Sequence, residues 1–445
     1  MTNRQRSVRG RTRGRVLACA LLVFVLTPEA SRAQEGGLPP EELLLEDVYA
    51  IARQRNPMLL AAQARVEATR ARESSAGLPP DPQFQIGVMN AELPGLGSGM
   101  PTFMAPAVQA MQMLPFPGKL GLSGRIARQT TAIADAQAQE TQWEIRSRSA
   151  MAFYEIYAID RQLDVMRETL QWLEDFEQVA KAMYSAGEGR QTDVLRAGVE
   201  VARMDAEIVR MQAMRLAAAA RLNGVLNRPA ETAVARPALP NLPLLLPDAG
   251  VLEGWAAESR PLLERGRLDV ERAQTRRRLA RREIWPDLNV GVAYGQRPTE
   301  TGTGRMGSVM LGITVPIFAG RRQLPMRREA EAMEQMSRAE LEDLQVQVEA
   351  RIGELLAELH RARTLVELYH TDVLPQAEAD VLSSFSSYRV GTVDFMTLVD
   401  AQMTLNRYQQ DLYVLLAEYG HMFADLEMTI GRVLPDTGAY LAEDE

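Results

Sequence analysis

Imidazoles, thiols, thioethers and carboxylates are the side chains that could hold an ion or move a proton in this chain. The histidines are His360, His370 and His421. His360 and His370 share one helical pattern but miss the i,i+4 spacing that lets two imidazoles grip one zinc ion, so they read as surface residues. Cys19 is the only cysteine and lies in an N-terminal leader, which leaves the rest of the chain without a thiol nucleophile or thiolate site. Gly95-Leu96-Gly97-Ser98-Gly99 lacks the lysine and flanking helix of a phosphate loop. The many glutamates fall on helix faces, where solvated charge is the default. This inventory predicts neither an enzyme nor a resident cofactor.

Two groups are left. Met89, Met100, Met104, Met111 and Met113 cluster in one pair of strand patterns. Thioether sulfur suits Cu(I) or Ag(I), but methionine is also flexible apolar filler. Alternation places Met89, Met111 and Met113 on the polar parity and Met104 on the apolar one, so the first three are the candidate metal contacts. The second group follows two glycine turns. Tyr184 precedes Gly187 as Tyr388 precedes Gly391, at an offset of 204 residues. Asp193 and Thr397 lie six residues beyond the glycines, Arg196 and Asp400 nine beyond. A carboxylate there can start a helix, favoured by the helix dipole. The tyrosines read as packing residues that fix the turns.

These turns need long elements to carry them, and the chain supplies such elements twice. Residues 1–33 form a secretory signal, with a basic start from Arg4 to Arg15, an apolar run Val16–Leu26 and the small-x-small site Ser31-Arg32-Ala33. The apolar run follows Cys19 instead of preceding it, so lipidation is not expected. Removing the leader's seven arginines and Glu29 would take the net charge from −8 to −14, which argues against nucleic acid as a partner. The first repeat spans 34–228: a helix broken at Asn56-Pro57, a β-hairpin at 82–115, a long helix from about Leu120, a turn near 187 and a return helix. Residues 229–247 carry five prolines and read as a linker. The second repeat, 248–432, has Arg260-Pro261 in place of Asn56-Pro57, a hairpin at 286–318 with a loop at Arg297–Gly304, and a turn near 391. Its long helix shows a seam from Leu341 through Val348, Ile352, Leu359 and Val366 to Tyr369 and Val373. The acidic tail, 433–445, reads as disordered.

Four strands with one apolar and one polar or small parity make a poor globular sheet. The segment after the leader has no apolar helix of spanning length, so a closed β-barrel is its available membrane solution. Barrels start at about eight strands, so chains must share one: two copies give eight strands, three give twelve.

Asn56-Pro57, Leu114-Pro115-Phe116-Pro117-Gly118-Lys119, the Tyr184–Gly187 turn with Asp193-Val194-Leu195, and Tyr388–Thr392 with Leu398-Val399-Asp400-Ala401 occur in one order. In that order the chain resembles the TolC family of outer-membrane efflux proteins, over roughly Glu41 to Arg432. The resemblance implies a fold that is mostly α with a small β part: a long α-helical coiled-coil barrel plus a β-barrel shared between protomers, four strands per chain, in two tandem repeats. It implies a homotrimer with outer-membrane lipid around its barrel, and a tunnel across the periplasm. It also implies docking, at tips carrying Tyr184, Gly187, Tyr388 and Gly391, to a periplasmic adaptor and an inner-membrane pump of RND type. In the family, carboxylates after the second turn ring the aperture. The matching positions are Thr397 and Asp400, with Asp193 and Arg196 after the first turn. Thr397 lacks the carboxylate, which weakens the ring; three Asp400 carboxylates would still attract cations. The Leu-Pro-Phe-Pro-Gly-Lys ending with upstream methionines is similar to the heavy-metal efflux branch. An exit duct for type I protein secretion, or a non-pore periplasmic coiled-coil adaptor, stays open as an alternative.

Overall fold

The computed structural model describes residues 42–89, 104–299, 302–435, 438 and 440. The signal segment, the 94–99 loop, Met100 and most of the acidic tail lie outside the described residues. Each repeat begins with two short helices joined at an X-Pro step. In α1 (Leu45–Arg55) and α2 (Pro57–Ala76), Asn56 is extended at ψ 123°, because proline disfavours helical backbone just before it. Asn56 Oδ1 accepts from Met58 N at 2.9 Å and Asn56 Nδ2 donates to Val225 O at 2.9 Å. One side chain thus caps α2 and ties it to the end of α4 (Gln191–Val225). In the second repeat, α5 (Ala249–Ser259) meets α6 (Pro261–Arg282) at Arg260, which has no oxygen to cap with. Glu140 supplies one from a distance, accepting from Leu262 N at 3.0 Å and pairing with Arg260 at 3.7 Å.

The first long helix, α3 (Lys119–Ala186), runs 68 residues without a break, about 100 Å at the rise of an α-helix. Its counterpart divides into α7 (Gln323–Leu368), a π-helical turn (Tyr369–Val373) and α8 (Leu374–Arg389). Pro375, at the start of α8, has no N–H to give the preceding turn, and the wider turn absorbs the misfit. The extra residue rephases the seam. Val348, Ile352, Leu359 and Val366 are buried as the spacing predicts, but Leu374 takes the buried place expected of Val373. The return helices α4 and α9 (Phe395–Ile430) close the core, where Phe153, Tyr157, Leu163 and Phe176 of α3 cluster with Leu398, Leu416 and Tyr419 of α9.

Strands β2 (Gln83–Met89), β3 (Met104–Leu114), β5 (Asp287–Thr299) and β6 (Gly302–Thr314) form one antiparallel sheet in the order β2-β3-β5-β6. The two hairpins join through β3 and β5, with Val108 opposite Tyr294 and Leu114 opposite Leu288. One face is apolar and exposed: Phe84, Ile86, Val309 and Leu311 are all over 70% accessible. The other carries Gln85, Gln109, Gly291 and Ala293, as alternation requires. Arg297–Gly304, expected as a loop, stays paired to Thr299 opposite Gly302; cross-strand pairing overrides its glycine-rich composition.

Within 229–247, β4 (Arg236–Pro237) pairs in parallel with β1 (Glu42–Leu43), and Leu242 is buried. Tyr440 forms an antiparallel bridge with Pro243, so that residue of the tail is held in place.

Candidate functional site

Both long helices end in left-handed glycines. Gly187 has φ 78° and Gly391 φ 76°, values that a Cβ would strain. Gly187 N donates to Tyr184 O at 3.0 Å and Gly391 N to Tyr388 O at 2.9 Å. The backbone returns into α4 and α9 within a few residues.

The helix starts differ. At α9 the cap is Asp394, whose Oδ1 accepts from both Thr397 N and Thr397 Oγ1 at 2.9 Å. Those bonds, chiefly that from the backbone, and the nearby Arg196 charge hold the Asp394 carboxyl below the usual aspartate range. Thr397 therefore does not leave this tip without a carboxylate; it orients one three residues upstream. The sequence signal was Asp-x-x-Thr just after a glycine turn, a capping pattern. Asp400 is the sixth residue of α9 and exposed, past the first turn where the dipole acts, so the helix-start role does not apply to it. Asp193 does sit in the first turn of α4, half-buried. Arg196 is exposed, and its charge is near enough to Asp394 to favour the carboxylate.

Tyr388 is buried, stacked edge-on to Phe395 with centroids 5.5 Å apart. Burial, then the Asp193 charge, pushes its hydroxyl pKa up. Tyr184 is not its equivalent: it is 48% accessible, so packing accounts for one tyrosine of the two. The tips thus gather two carboxylates, Asp193 and Asp394, an arginine and a buried tyrosine, with Asp400 facing solvent above them.

At the other end of the long helices, sheet and helices meet over a buried lysine that the sequence named only as the end of the Leu114–Lys119 motif, with no partner or role. Lys119 Nζ donates to Asp287 Oδ1 at 2.9 Å and to Trp285 O at 3.1 Å. Asp287 Oδ1 also accepts from Phe116 N at 2.7 Å, and Phe116 stacks on Trp285 at 5.3 Å. The Pro-Phe-Pro-Gly-Lys stretch therefore locks the first hairpin to the second. Gly118 has φ 89°, with Arg282 where a Cβ would stand.

Met111 and Met113 lie on the polar face of β3, opposite Gly291 and Asn289. A register shift after Gly87 sets Met89 opposite Met104. Two residues of β3 there face one of β2. The side chains of Met89 and Met104 lie outside the described residues.

The sequence profile described as "Outer membrane efflux protein" matches residues 48–228 and 254–432. The chain belongs to the outer membrane efflux protein family. No curated protein sequence matches it. Among solved structures, the outer membrane protein VceC of Vibrio cholerae superposes with a TM-score of 0.75 at 18% identity, covering 87% of this chain and 96% of its own. CusC gives 0.74 at 17%, covering 87% and 92%. The open MtrE channel of Neisseria gonorrhoeae gives 0.72 at 17%, covering 87% and 89%. At these identities the likeness shows the fold. Efflux proteins of this family are non-enzymatic pores of tripartite systems, placed in the outer membrane and extending into the periplasm.

Proposed function

We propose that three copies of this efflux protein close into one tunnel that exports small solutes, handed over by a periplasmic adaptor and an inner-membrane pump of RND type. The observation that carries the reading is the matched order of the two layers. The sheet runs β2-β3-β5-β6, and the helices beneath it run α2-α3-α6-α7 by their contacts. Joining the β6 and α7 edge of one copy to the β2 and α2 edge of the next closes both layers by one heterologous contact. Three copies supply twelve strands, with the apolar face to lipid and the polar face to the lumen.

A second feature supports ring closure. Leu195, Val199, Ala202, Ala206, Val209, Ala213 and Leu216 form an exposed stripe on α4 with alternating steps of four and three. That is coiled-coil spacing, on the face opposite Ala197, Met204 and Ile208, which pack into the core. A neighbouring copy's α7–α8 edge would cover it.

In this reading the tips form the periplasmic aperture and the adaptor dock, with Asp400 and Asp394 as its carboxylates. The test is conductance of the purified protein in a planar bilayer. Wild type is expected to pass a small cation-selective current, and Asp400→Ala to widen it and lower its selectivity. No current under any condition, Asp400→Ala included, would sink the channel reading. For the substrate, growth of a deletion strain on Cu/Ag, on Co/Zn/Cd, and on dyes or detergents separates metal from drug export.

A further inference from the structure

We propose that Met111 and Met310 together form a binding site for monovalent soft metal, Cu(I) or Ag(I), on the polar face of the sheet. That the face lines a lumen rests on the channel reading; the convergence of the two thioethers does not. Register places four residues in one row across the strands: Gln83, Met111, Gly291 and Met310. Met310 comes from the other repeat, so no spacing within the first hairpin could point to it.

Gly291, between the two methionines, decides the geometry. A Cβ built there would lie 3.1 Å from Met111 Cγ and 3.4 Å from Met310 Cε. Each of those carbons is bonded directly to its sulfur. Both side chains therefore reach the space over the glycine from opposite sides, each sulfur one bond behind the contacting carbon. A larger residue at 291 would fill that space and drive them apart.

The ligand set selects the metal. Thioethers favour Cu(I) and Ag(I), whereas Zn(II) and Co(II) want imidazole, thiolate or carboxylate. The row offers none of these, and the next row on the same face is Met113, Asn289 and Gly312. Met113 adds a third thioether two residues along. A site of two or three neutral ligands holds its ion loosely, as a conduit requires: strong enough to accept the ion and weak enough to pass it on.

The test is Ag(I) binding to the full-length channel, purified in detergent and chloride-free buffer, measured by calorimetry with silver nitrate as the probe. Wild type is expected to bind with an affinity that Met111→Leu/Met310→Leu lowers at least tenfold; leucine keeps the volume and removes the sulfur. Zn(II) in excess is expected not to compete. The proposal is overturned if that double variant binds Ag(I) as wild type does. It is equally overturned if the exposed helix methionines carry the binding instead, so that Met326→Leu/Met333→Leu/Met336→Leu abolishes it. Bilayer conductance of the same preparations reads the channel independently. Silver binding without conductance keeps the metal site and removes the pore, and conductance without silver binding does the reverse.

Discussion

Replacing Lys119 by methionine tests whether the sheet is pinned to the helices by a buried ion pair or merely sits on them. Methionine keeps the apolar stem and removes the ammonium. The side chain is 7% accessible, with Asp287 at 22% and Glu283 at 39% as its acidic neighbours. Removing one partner of a fully buried pair costs roughly 3–5 kcal/mol. Water reaches Asp287 here, and Asp287 keeps its bond from Phe116 N, so the expected loss is about 2–3 kcal/mol. Asp287→Asn keeps an acceptor and removes the charge, and is expected to cost less. The double variant should then lie nearer wild type than the summed single losses, with a coupling of roughly 1–2 kcal/mol. The assay is urea unfolding of the channel in lipid vesicles, followed by tryptophan fluorescence; Trp285 stacks on Phe116 at the junction and reports locally. A Lys119→Met loss under about 0.5 kcal/mol, or singles that add without coupling, would refute the reasoning.

Asn56→Ala removes the α2 cap and the tie to Val225, and is expected to cost about 1–3 kcal/mol in the same unfolding assay. Asn56→Asp keeps the acceptor and should recover only the capping part. Gly391→Ala forces a Cβ into left-handed backbone with open space around it, so strain alone should cost about 1–2 kcal/mol, and Gly391→Asn less. Burial, above all, raises the Glu427 carboxyl despite Arg146 at 3.1 Å. The folded state therefore holds its proton more tightly than the unfolded state. Stability from this group is absent above the folded pKa, grows as pH falls through it, and is complete near the unfolded value of 4.5. Unfolding midpoints measured across that window should rise on acidification in wild type and less steeply in Glu427→Gln; equal slopes would contradict it.

Much of the fold was legible because the chain states it twice. Asn56-Pro57 and Arg260-Pro261 break helices where proline must, and Gly187 and Gly391 turn where only left-handed backbone fits. Strand parity sorted Phe84 and Ile86 from Gln83 and Gln85. What stayed hidden were contacts between repeats and shifts of phase. Nothing near Lys119 names Asp287 as its partner, and nothing near Met111 names Met310, because strand register brings each pair together. Pro375 inside an apolar seam was a readable breaker, but whether the helix would end, kink or widen depends on how α9 packs against it. At the second tip, Thr397 read as a missing carboxylate, while the carboxylate it orients stood three residues earlier at Asp394.

The open edges of the sheet carry a cost that falls before the protein works. A single exported chain presents β2 and β6 with unpaired backbone along their outer sides, next to Phe84, Ile86, Val309 and Leu311. Exposed apolar strand edges are templates for wrong pairing. If three copies close the ring as proposed, every moment between export and closure is a proteostatic hazard, and the cell must chaperone these strands or couple their pairing to insertion. A variant that leaves the finished channel intact but slows assembly would show up as lost abundance through aggregation or proteolysis, with the survivors conducting normally.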